Sequence, residues 1–174
     1  MENKLTKSET LLEAFSPMQM LKSHRHIKTI QDVVKTPSES LSGLCNLIDE
    51  DSVCALIELH LWKLNESMNL NNKLTEHQII EISIEIVSNY YYLKMEDIFL
   101  IFRKAKLGHF GQLYSSLSMI DIFGWFDKYN VERTEYYIEM NTKDIHRDSS
   151  TRLSQKDSDA MHLAKLMDFK NNLK

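Results

Sequence analysis

The chain has 174 residues, 43% of them hydrophobic, with only four Gly, two Pro and two Cys. That is enough chain for one hydrophobic core, and it excludes both a disulfide framework and a low-complexity polymer. A formal net charge of −4 excludes a uniformly basic nucleic-acid-binding protein.

Scarce glycine and proline beside abundant Leu, Ile, Glu and Lys predict an all-α fold, a single multi-helix domain of about five to seven helices. Charge is distributed unevenly along it. Residues 38–100 hold eleven acidic side chains against three basic, residues 1–37 six basic against four acidic, and residues 141–174 seven basic against five acidic. An acidic middle is thus flanked by mildly basic ends, which reads either as solvated helix faces or as a docking surface with basic arms. The opening MENKLTKSETLLEAF lacks the apolar core of a secretory signal, and no run approaches eighteen apolar residues. The expectation is a soluble, cytoplasmic protein with no membrane association.

In chain order, residues 1–37 read as a basic N-terminal arm with a short helix. Ser16-Pro17 is a helix-start pair, because proline at the first helical position lacks only a donor that has no partner there. The group LKSHRHIKTI follows, with Lys22, Arg25 and Lys28 as its cations, and Thr36-Pro37 ends the segment. Residues 38–141 read as the helical core. Leu41, Leu44, Cys45 and Ile48 fall at helical spacing, and Asp49 to Ser52 opens a second helix carrying Val53, Leu56, Ile57, Leu61 and Leu64. Cys45 and Cys54 read as small apolar core residues.

Thr75-Glu76-His77-Gln78 has the form of a capping box. The isoleucines behind it, Ile79, Ile80, Ile82, Ile84 and Ile86, also fit a strand; the box and the apolar residues off the alternation favour a helix buried on most sides at the centre of the fold. Met95, Ile98, Phe99, Phe102 and Ala105 then mark a helix with Glu96 and Asp97 in its first turn and Arg103, Lys104 and Lys106 in its last, complementing the helix dipole. Gly108 and Gly111 are turn-forming residues that suit the left-handed backbone of a helix end. Phe110 and Tyr114 between helices either plug the core or stand exposed for a partner. Ser118 with Asp121 starts a last long helix through Met119, Phe123, Phe126, Tyr129, Tyr136 and Met140. Residues 142–174 read as a polar linker and a short amphipathic C-terminal helix through Met161, Leu163, Leu166 and Phe169.

The stretch YYYLKMEDIFLIFRKAKLGHFGQLYSSLSMIDIFGWFDKYNVER resembles a family of small helical proteins of bacteriophages and mobile elements of gut bacteria. The pattern rests on Tyr91, Tyr92, Leu93, Phe102, Arg103, Lys106, Gly108, Phe110, Gly111, Tyr114, Ile122, Trp125, Phe126, Tyr129 and Arg133, and the resemblance covers roughly residues 61–140. It implies a non-enzymatic accessory protein in a bacterial host cell. By analogy of layout, that role is contact with a replicative helicase or initiator, as in helicase loading, or alternatively a virion-associated structural role.

In that reading Arg103, Lys104 and Lys106, with His109, meet phosphate as a weak nucleic-acid contact, while Phe110 and Tyr114 stack on a base or fill a pocket on a partner. A major-groove reader is disfavoured, because the helix after the glycine turn begins Met119, Ile120, Asp121, Ile122, Phe123. No phosphate-binding glycine loop, nucleophile elbow or His-Glu-x-x-His motif occurs, so no catalysis and no cofactor are expected. His24 and His26 are a poor metal pair, and the other histidines are scattered.

Overall fold

The computed structural model describes residues 7–111 and 116–143. Among these residues the chain is all-helical, with no strand. In order come α1 (Lys7–Ala14), α2 (Pro17–Ser23), α3 (Ile30–Lys35), α4 (Leu41–Leu47), α5 (Glu50–Ser67), α6 (Glu76–Asn89) and α7 (Met95–Lys106), then α8 over residues 119–143. Two units are distinguished, Met1–Val131 and Glu132–Lys174; α8 to residue 131 is described with the first, its remainder with the second. Tyr114, the polar linker and the amphipathic C-terminal stretch lie outside the described residues.

Local chemistry accounts for most boundaries. Pro17 begins α2. Asp49 caps α5 by accepting from the Ser52 amide at 2.7 Å. The Thr75–Gln78 capping box is formed in both directions, and Ser118 exchanges the same pair of bonds with Asp121 at the start of α8. The first amides of α4 donate to the carbonyls of Leu93 and Tyr91 at 2.7 and 2.9 Å, so its orphan donors are met by a turn fifty residues away.

In the first unit α5 packs along α6 and against α4, while α3 and α5 pack on α7. The central helix is α7, not α6. From Met95 to Phe102 every residue of α7 is buried, including the first-turn carboxylates Glu96 and Asp97. Ser38 donates to Glu96 at 2.7 Å, and Asp97 accepts from the Lys94 amide at 2.8 Å and from the Tyr129 hydroxyl. The isoleucine-rich helix buries one face only, Ile79, Ile82, Ser83, Ile86 and Val87. Ile80 and Ile84 remain 38% and 50% exposed. The spacing i, i+3, i+4, i+7, i+8 explains the result: apolar residues outside that stripe have no neighbouring helix to meet.

Residues 1–37 also depart from the reading as an arm. Met20, Ile27, Ile30 and Val33 are buried, and the extra helix α3 starts at a capping box between Thr29 and Asp32. A polar-looking segment is thereby fastened to the core by four apolar residues. The α5–α6 loop is held in another way. The buried Asn65 amide donates to the Leu74 carbonyl and accepts from its N–H, both at 3.0 Å, so one side chain satisfies both polar groups of a buried residue.

The first part of α8 buries Ile122, Trp125, Phe126 and Tyr129, an i, i+3, i+4, i+7 stripe. In the second unit, Tyr136 and Tyr137 meet edge to face at 6.0 Å, and the Arg133 guanidinium lies 5.0 Å from the Tyr137 ring centre.

Candidate functional site

A cleft of about 460 Å³ opens between α2, the α2–α3 loop, α5 and α7. Each helix contributes residues at helical spacing: Pro17 and Leu21 from α2; His60, Lys63 and Leu64 from α5; and Phe99, Phe102, Arg103 and Lys106 from α7. Arg25 and Lys28 complete it from the loop. The floor is apolar and the walls are cationic, five basic side chains in a chain that is acidic overall.

The cations differ in what they do. Arg103 Nη1 donates to the carbonyls of Arg25 at 3.2 Å and Ile27 at 3.0 Å, tying the loop to α7. It positions the wall. Lys106 is held below the ordinary lysine value by partial burial, with Lys63 and then Arg103 adding repulsion. An anion entering the cleft relieves that repulsion. Lys63 lies 3.7 Å from Glu66 on the exposed side of α5, a pair too solvated to neutralise it firmly. His60 donates from Nε2 to the Phe15 carbonyl at 2.8 Å. Its pKa is lowered to about 4, by burial first and by Lys106 in addition, so it stays neutral at physiological pH. It buttresses α5 against the α1–α2 turn.

The cleft unites Arg25 and Lys28 of the supposed arm with Arg103 and Lys106 of the α7 end, groups separated by seventy-eight positions in the case of Arg103 and Arg25. Other expected site residues fall elsewhere. Lys104 stands 5.8 Å over the Tyr129 ring, off the cleft stripe of α7. Lys22 and His109 are exposed and outside the cleft. Of the two readings open for Phe110, a plug of the core or a partner-facing aromatic, its position fits the first: it is 8% exposed and stacks on Trp125 with ring centres 6.3 Å apart. Its carbonyl accepts from Lys128 Nζ at 2.8 Å.

Gly108 and Gly111 have φ of +77° and +111°. The Gly108 amide donates to Ala105 and the His109 amide to Lys104, both at 3.0 Å, the paired bonds of a Schellman helix end. Lys63 and His60 escaped the sequence reading. The available signal was weak: Lys63 is the lone basic residue of α5, three positions after a histidine on the stripe that α5 turns inward.

Cys45 and Cys54 are free thiols, and burial pushes Cys54 up to about 11, far from a thiolate at neutral pH. Among the described residues no three His, Cys, Asp or Glu side chains gather as metal ligands, and no helix is long and apolar enough to cross a membrane. No protein-family model, curated protein or solved structure matches the chain.

Proposed function

We propose that this protein is a non-enzymatic accessory protein acting through protein–protein contacts, with the basic cleft receiving an acidic segment of its partner. The observation that carries the reading is the convergence of Arg25, Lys28, Lys63 and Lys106 around an apolar floor. Lys106, held low by partial burial first and by the neighbouring Lys63 and Arg103 in addition, shares the cleft with four further cations, a setting that favours a polyanionic occupant. A protein segment fits better than a nucleic acid. Phe99 and Phe102 are only 7% and 4% exposed, so they offer no open ring faces to bases. The resemblance described above suggests the setting, a bacteriophage or mobile element within the bacterial cytoplasm. Analogy of layout supplies the partner class, a replicative helicase or initiator, with a virion structural protein as the second choice.

The test is affinity purification from host cells expressing either the wild type or a Lys28→Gln, Lys63→Gln, Lys106→Gln variant, with and without nuclease, read by quantitative mass spectrometry. A helicase or initiator recovered with the wild type after nuclease, and depleted at least about tenfold with the variant, is the expected result. Equal recovery with both proteins overturns the cleft as docking site. Recovery that vanishes with nuclease moves the assignment to nucleic acid, and recovery of capsid or portal proteins moves it to the virion.

A further inference from the structure

We infer that a second copy of this chain occupies the cleft, presenting the outer face of α6. The inference rests on reading the cleft as a docking site for acidic, apolar-studded segments, and names one such segment. The outer face of α6 carries Ile80 and Ile84, one turn apart and exposed, with Glu81 and Glu85 beside them and Glu76 in the first turn. Isoleucines so placed are an exposed apolar strip edged with acid.

The cleft is its complement. Pro17 and Leu21 offer aliphatic surface to the isoleucines, and Arg25, Lys28, Lys63 and Lys106 offer charge to the glutamates. Leu21 is itself exposed at the mouth of the cleft, and Met18, one turn earlier on α2, extends its apolar rim. No residue of α6 lines the cleft, so each molecule displays both halves of the contact. Glu85 already accepts from Asn89 at 2.6 Å on its own helix, which holds that side chain along the strip.

The contact is heterologous: a strip enters the cleft of the next copy and leaves one cleft and one strip unfilled, so assembly grows beyond a dimer. The 14 residues of α6 span about 21 Å, and an interface of that length lies at the small end of specific contacts. Micromolar, salt-sensitive association is expected.

Sedimentation velocity of the full chain, from about 1 to about 200 μM, reads it directly. The wild type is expected to gain mass progressively with concentration and to lose that gain as salt rises from about 0.05 to about 0.5 M. The Lys28→Gln, Lys63→Gln, Lys106→Gln variant and an Ile80→Gln, Ile84→Gln variant are each expected to remain monomeric. Mixed, they are expected to form a 1:1 dimer and nothing larger, since one retains only its strip and the other only its cleft. Circular dichroism melting of each variant separates lost association from lost fold, and the isoleucine positions, being on the surface, tolerate glutamine. A wild type that stays monomeric throughout, or variants that associate as the wild type does, overturn the inference. Should the wild type be monomeric while the lysine variant still loses its cellular partner, the docking reading stands and the second copy alone is excluded.

Discussion

His60 shows how one buried side chain sets a pH limit on the fold. Neutral in the native state and donating to Phe15, it resists protonation down to about 4, whereas an unfolded histidine takes a proton near 6.5. The stability it confers is therefore complete above 6.5 and declines as pH falls from 6.5 towards 4, by at most about 1.4 kcal/mol per pH unit. His60→Gln keeps a donor near the same place and removes the titration. Its melting temperature is expected to vary less than that of the wild type across this window. Asp32 and Asp49, held below their ordinary value of 3.8 by backbone and hydroxyl donors, act only at lower pH and do not mask the difference. The glycines give a second test at this scale. An added Cβ meets nothing within 4 Å at Gly108 or Gly111, so substitution costs backbone strain alone. Gly108 lies near the left-handed well that alanine enters for about 1 kcal/mol, while φ of +111° at Gly111 lies outside it. Thermal melts are expected to rank wild type, Gly108→Ala and Gly111→Ala in falling order, with Gly108→Asn close to wild type.

At the scale of elements, the helices and their caps were legible because their causes are local. Thr75 with Gln78, Ser118 with Asp121, Pro17 at the start of α2 and Gly108 at the end of α7 each act within a few residues of chain. Which helix becomes central was not legible: α6 carries more isoleucine, yet α7 is enclosed because α3, α5 and the start of α8 all reach it. Helix α3 was missed for a related reason, since its cap Thr29–Asp32 stands in a run of basic residues that reads as linker. Fastening of that run depends on Arg103. Removal of its guanidinium in Arg103→Ala is expected to cost about 1–2 kcal/mol and to speed amide exchange across residues 24–29 more than elsewhere. A single nitrogen makes both bonds, so Arg103→Lys is expected to recover most of the loss; uniform exchange in both variants contradicts the role.

On the scale of the whole molecule, the site was half legible. Arg25, Lys28, Arg103 and Lys106 stood out as cations, but nothing in their spacing says that a loop after α2 and the end of α7 meet. Phe110 shows the converse, since an aromatic between two glycines looks available until Trp125 from α8 covers it. Five basic side chains that are dispersed along an acidic chain line a single cleft once it folds. Partner capture is for that reason expected to weaken as salt rises, because charges at the mouth of a cleft are screened beyond about 10 Å at 0.1 M; capture indifferent to salt points instead to the apolar floor.

The N-terminal segment is anchored to the core at three places by a side chain that donates to a main-chain carbonyl: His60 to Phe15, Arg103 to Arg25 and Ile27, and Lys94 to Thr36. A carbonyl is present whatever residue carries it. The side chains at positions 25 and 28 are in consequence not dictated by these anchors, and the lip of the cleft can be rewritten for a different acidic ligand while the scaffold that presents it stays as it is.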